Sequence, residues 1–119
     1  MTITPGFVKV AEKSEIPIGT MKKIILNGKE ILVAYVEGNF YAIGSKCTHM
    51  GGDLSKGVLE GNIVKCPRHG SRFDVTTGKN VSGPKILFLT TKTNDVPLFT
   101  AKVEGNDVLI SQVPAGASL

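Results

Sequence analysis

The sequence has no tryptophan, only two cysteines and two histidines, and an aromatic content of 6%. Two cysteines exclude a scaffold held together by several disulfides. Scarce aromatics argue against a nucleic-acid surface, where rings on which bases stack are interleaved with basic side chains. No apolar run approaches the roughly 20 residues of a membrane helix, so no membrane role is expected. The opening residues Met1-Thr2-Ile3-Thr4-Pro5-Gly6 have neither the basic start nor the apolar stretch of a signal peptide, which predicts a cytoplasmic location. At 119 residues the chain fits one domain and leaves no room for a second with a core of its own.

A hydrophobic content of 41% suffices for a packed core. The β-branched residues Val, Ile and Thr number 32, against 21 for Ala, Leu and Glu, which favours pleated strands over helices. Turn signals recur between apolar runs. Asn27-Gly28 separates Lys22–Leu26 from Glu30–Val36, Gly38-Asn39 joins that strand to Phe40–Ile43, and Gly61-Asn62 and Gly105-Asn106 precede further short strands. The pattern predicts an all-β antiparallel sandwich or barrel, with at most one helical turn between Glu12 and Ile16.

Every cysteine and histidine falls in the stretch from 47 to 69, as Cys47-x-His49, a gap of sixteen residues, and Cys66-x-x-His69. Each half offers one thiolate and one imidazole close enough for a single tight loop to aim both at one centre. Gly51-Gly52 follows the first pair and Gly70 the second, and glycine lets backbone approach a ligand and turn its amides toward it. A tetrahedral Cys2His2 zinc site is the rival reading, but zinc fingers pair Cys with Cys and His with His and carry the histidines on a helix.

The stretch Cys47-Thr48-His49-Met50-Gly51-Gly52-Asp53-Leu54, with Gly57, Gly61, Cys66-Pro67-Arg68-His69-Gly70-Ser71-Arg72-Phe73-Asp74 and Thr77-Gly78, closely resembles the signature of Rieske [2Fe–2S] proteins. Later residues Pro97-Leu98-Phe99, Lys102-Val103-Glu104 and Val108-Leu109 resemble the closing strands of small Rieske ferredoxins. The resemblance implies the Rieske fold: three antiparallel sheets, with a small cluster-binding subdomain (45–85) on a β base (1–44 and 86–119). It implies one Rieske-type cluster, with Cys47 and Cys66 on the inner iron and His49 and His69 on the outer one. Gly51, Gly52, Arg68, Gly70, Ser71, Phe73 and Pro84 would surround it, Pro84 in a covering loop Ser82-Gly83-Pro84. Respiratory members carry an extra cysteine in each loop; Gly52 and Arg68 stand at those positions, so no disulfide is expected. Ser71 keeps one hydroxyl that raises the potential in such proteins, whereas Phe73 lacks the other. This implies the lower-to-middle part of the Rieske range of roughly −150 to +300 mV.

The implied activity is transfer of single electrons to or from a separate redox enzyme such as an oxygenase. Catalysis is not expected, since no histidine remains for a mononuclear iron or a triad. The alternative is the small Rieske subunit of an enzyme complex, similar to that of assimilatory nitrite reductase. Residues 45–85 carry seven basic and three acidic side chains, while the remainder balances at seven each, so the whole net charge of +4 lies on the part with the motif. That predicts steering toward an acidic partner face, with Lys46, Arg68, Arg72 and Lys85 as docking residues; a monomer is expected. One departure from the family pattern is the segment 86–95. Its apolar run Ile86-Leu87-Phe88-Leu89 predicts an added strand packed on the base, with Thr93-Asn94-Asp95 as its turn.

Overall fold

In the computed structural model the described residues are 6–47, 52–68, 70–82, 85–86, 89–90 and 94–114. Their strands in chain order are β1 (Phe7–Glu12), β2 (Met21–Leu26), β3 (Lys29–Val36), β4 (Asn39–Gly44), β5 (Val58–Glu60), β6 (Ile63–Lys65), β7 (Arg72–Asp74), β8 (Asn80–Ser82), β9 (Lys85–Ile86), β10 (Leu89–Thr90), β11 (Leu98–Glu104) and β12 (Asp107–Pro114). Among the described residues the only helical pieces are the 3-10 turns Lys13–Glu15 and Leu54–Lys56.

The turns follow the local chemistry. Asn27 and Gly28 both take positive φ, 51° and 78°, as a two-residue hairpin of matching twist requires, and they link β2 to β3. The β3–β4 turn is displaced by one residue from the expectation. Val36 pairs with Asn39, so the loop is Glu37-Gly38, with φ of 49° and 84°, and Asn39 opens β4. The two faces of β3 and β4 belong to different cores, so the pairing register cannot slip, and that register places Glu37 in the left-handed region.

All pairings are antiparallel, in three sheets. Six strands run in the order β1-β12-β11-β4-β3-β2, four in the order β5-β6-β7-β8, and β9 pairs with β10. The chain from β5 to β10 leaves after β4 and returns at β11, and these two are neighbours, with Ile43 opposite Leu98. Residues 31–34 on β3 are buried on both faces. Ile31 and Val33 join a core with Phe40, Phe99, Val108 and Ile110. Leu32 and Ala34 join another with Ile43, Leu54, Val64, Phe73, Val75 and both cysteines. This second core lies where the base meets the four-stranded sheet.

The segment 86–95 is not a single added strand. β9 ends at Ile86 and β10 starts at Leu89, and the two pair with each other, Ile86 opposite Leu89. The chain therefore reverses within the apolar run, and residues 87–88 lie outside the described residues. A continuous apolar run has no period from which a reversal could be read. Nor do Asn94 and Asp95 form a turn of that strand. Asp95 accepts the Asn80 N–H at 2.7 Å, and buried Val96 donates to the Gly78 carbonyl at 2.9 Å, tying the segment to the β7–β8 turn.

Candidate metal centre

Two loops carry the cysteines, and both are closed in the same way. In the first, the Cys47 N–H donates to the Gly52 carbonyl at 2.6 Å, the backbones of Lys46 and Asp53 pair as an isolated antiparallel bridge, and the Leu54 N–H donates to the Ser45 carbonyl at 2.7 Å. In the second, the Cys66 N–H donates to the Ser71 carbonyl at 2.7 Å, one step beyond the β6–β7 pair Lys65 and Arg72. Each cysteine thus sits at the neck of a hairpin-like loop, where backbone bonds fix its position. His49, Gly51, His69 and Pro84 lie outside the described residues.

The two loops meet at the thiols. Cys47 and Cys66 are each 2% exposed, belong to one apolar cluster, and are not disulfide-bonded. A Cβ on Gly52 would come to 2.8 Å from the Cys66 Sγ, so the first loop reaches the second only because this position has no side chain. Burial pushes the Cys66 thiol up; the hydrogen-bonded Cys47 thiol adds to this, and the Arg68 backbone N–H, donated to the sulfur, opposes it. Dry, adjacent thiols of this kind can serve as thiolate ligands, because binding a cation removes their protons.

A second observation concerns Ser71. It is 1% exposed, and its Oγ is a buried hydroxyl with no hydrogen-bond partner among the described residues. A buried orphan hydroxyl costs stability unless something accepts from it. The paired thiols, the gap kept by Gly52 and this spare donor fit a thiolate-ligated cluster with anionic sulfur. Phe73, fully buried opposite Val64, packs in the same core as both cysteines and offers no hydroxyl.

Of the other residues singled out, Gly70 takes φ of 79°, and its missing Cβ would lie 3.5 Å from the Lys65 Cε. Lys46 and Arg68 are exposed and Arg72 is half-buried on β7; the Lys85 side chain lies outside the described set.

Sequence reasoning did not find the support beneath the first loop. The Asp53 carboxylate accepts from Lys23 Nζ at 2.9 Å, Ser45 Oγ at 2.9 Å, Ser55 N–H at 3.0 Å and Ser55 Oγ at 2.6 Å. Burial raises its pKa, but the donors from Ser55, Lys23 and Ser45 outweigh this and hold the carboxyl well below the usual carboxylate range. The Asp-x-Ser order is a local signal for the Ser55 bonds; nothing local announces Lys23.

Comparison with known proteins agrees with this geometry. Residues 6–91 match the Rieske [2Fe-2S] domain family. The ferredoxin component of the naphthalene 1,2-dioxygenase/salicylate 5-hydroxylase systems of Ralstonia sp. is 36% identical over 91% of this chain and 97% of its own length. The ferredoxin component of biphenyl 2,3-dioxygenase from Rhodococcus jostii (strain RHA1) is 34% identical over 88% and 92%. Among solved structures, a chain in a complex of reduced oxygenase and oxidized ferredoxin in carbazole 1,9a-dioxygenase superposes with a TM-score of 0.81 at 29% identity, over 93% of this chain and 97% of that one. The ferredoxin of carbazole 1,9a-dioxygenase from Nocardioides aromaticivorans IC177 gives 0.75 at 28%, over 88% and 96%. Family match, relatives alike from end to end and the thiol site agree: this chain belongs to the Rieske [2Fe–2S] domain family, as an electron carrier with one Rieske-type cluster.

Proposed function

We propose that Cys47 and Cys66 hold one iron of the cluster and His49 and His69 the other, and that the chain delivers single electrons to a separate oxygenase. The observation that carries this is the pair of buried thiols brought together by two neck-closed loops, with the Ser71 hydroxyl left over beside them. When bound, the cluster supplies a one-electron couple. The chain's own residues do the rest. The loop necks hold the thiols in register, the shared core keeps water from them, and Ser71 donates toward the added negative charge. Residues 45–85 form the cluster-binding subdomain on a base of 1–44 and 86–119, within one domain spanning 1–119.

The partner's docking face is acidic, and Lys46, Arg68, Arg72 and Lys85 meet it. Supporting this, several lysines of the base are engaged locally: Lys9 with Asp107, Lys22 with Glu15, and Lys102 with Glu104. Lys46 and Arg72 make no ion pair among the described residues. The carrier reading is favoured over a permanent subunit because the chain spans nearly the whole length of relatives that are themselves ferredoxin components. One copy suffices, since all four proposed ligands come from one chain. A cytoplasmic location belongs to this reading, since cysteines used as thiolate ligands rather than as a disulfide suit a reducing compartment; no described helix is long and apolar enough to cross a membrane.

The test is an iron and acid-labile sulfide assay, with electron paramagnetic resonance of the reduced protein. Iron and sulfide in equal amounts with a Rieske-type signal support the reading; zinc without sulfide overturns it. Replacing His49 or His69 by Cys should alter the signal, and an unchanged signal would remove that residue from the ligand set. Electron transfer to the partner oxygenase should slow as salt rises.

A further inference from the structure

The four-stranded sheet has two unlike faces, fixed by its register. Leu59, Val64 and Phe73 lie opposite one another across β5, β6 and β7 and turn into the core. Val58, Lys65 and Arg72 form the next row, which by the alternation of strand residues points outward. On that outer face Glu60, Ile63 and Asp74 make up the far row. The face therefore runs from carboxylates at one end to cations at the other, and the cationic end is the one beside the second cysteine loop.

At that end is a groove of about 470 Å³ whose lining includes Lys56, Val58, Lys65, Cys66, Pro67 and Arg72. No carboxylate lines it. Lys56 and Lys65 are exposed and make no ion pair among the described residues. Val58 stands among these cations with 57% of its surface open. The Lys65 stem lies beside the second loop, its Cε within van der Waals reach of where a Gly70 Cβ would stand.

Resting on the electron-carrier reading, we propose that this groove is the docking site for an acidic segment of the redox partner: carboxylates against Lys56, Lys65 and Arg72, with an apolar side chain between them on Val58. The chemistry favours a peptide. A phosphate backbone would be served by cations alone and would gain nothing from an exposed valine, and no aromatic side chain lines the groove for a base to stack on. The site lies beside the second cysteine loop, so a partner held there sits against the Cys66 neck.

The test uses cluster-loaded protein and a fluorescent Glu-Glu-Leu-Glu-Glu peptide, with binding read by anisotropy at low salt. Lys56→Glu with Lys65→Glu should weaken binding about tenfold or more, and the milder Lys56→Gln with Lys65→Gln should weaken it less. Lys29→Glu with Lys79→Glu makes the same change in net charge away from the groove and should cost under about twofold. Val58→Ser should abolish the preference for this peptide over Glu-Glu-Ser-Glu-Glu. The proposal is overturned if the wild type does not bind, if both charge-reversed pairs weaken binding equally, or if a DNA duplex binds as tightly with the same dependence on Lys56 and Lys65. The visible spectrum and chemical reduction of each variant are measured alongside. Loss of either in the wild type would bear on the electron-carrier reading, whereas lost binding with both intact bears on the groove alone.

Discussion

Lys23 Nζ lies 2.9 Å from Asp53 Oδ2, and this ion pair ties β2 at the edge of the six-stranded sheet to the neck of the first cysteine loop. Lys23 also reaches Glu30 at 3.2 Å, so one ammonium serves two carboxylates. Asp53 keeps only 21% of its side chain exposed and depends on all its donors.

The consequence for stability has a definite sign. Asp53 is held below its unfolded value, so its contribution is complete above the ordinary carboxylate range near pH 4 and drains away as pH falls below it. Asp53→Asn is expected to cost about 1–2 kcal/mol at neutral pH and to flatten the loss of stability on acidification. Urea unfolding midpoints followed from neutral to acidic pH check this. Parallel curves for variant and wild type would show that Asp53 does not carry the acid limb.

Ser71→Ala separates two effects that usually travel together. Its hydroxyl has no partner among the described residues, so its removal should leave the stability of the metal-free chain unchanged or slightly raised. In the loaded protein the same change should lower the reduction potential. A hydrogen bond stronger by about 1 kcal/mol in the reduced state corresponds to roughly 40 mV for one electron. Redox titration of both proteins decides; equal potentials would mean that Ser71 donates elsewhere.

Gly52→Ala places a methyl group 2.8 Å from the Cys66 Sγ. One of the two loops must then retreat, and cluster incorporation should fall severalfold while the base keeps its strands. Iron and sulfide content measure the first, and far-ultraviolet circular dichroism the second. Full iron loading would mean that the loops tolerate separation.

Phe73→Ala should destabilise the chain by about 3–5 kcal/mol, because Phe73 is fully buried between Val64 and the cysteine cluster. Phe73→Leu should recover most of that loss. Thermal unfolding of the three proteins orders them; a small loss for Ala would mean that the second core can collapse around the gap.

Where a structural choice is made by neighbouring residues, it was legible in the sequence. Asn27-Gly28, Gly61-Asn62 and Gly105-Asn106 each name their own hairpin, and the spacing of Cys47 and Cys66 names their loops. The β3–β4 turn slipped by one residue because strand register, not turn preference, decides it, and Glu37 takes a conformation that glycine or asparagine would adopt more readily. The reversal between Ile86 and Leu89 left no mark, since the apolar run continues through it without a turn residue. Lys23 and Asp53 stand thirty residues apart, and their meeting depends on how the base folds beneath the loop. The cationic groove was visible only as a charge tally until the register put Lys65 and Arg72 in one row.

The pairing of Ile43 with Leu98 gives everything between β4 and β11 a narrow root. Its two ends are about 5 Å apart, the spacing of partners in an antiparallel sheet. The segment can therefore be lifted out as a cassette. Exchanged between ferredoxins of this family, it would carry redox centre and docking chemistry together onto a foreign base, provided that base offers the apolar face that Leu32, Ala34 and Ile43 present here.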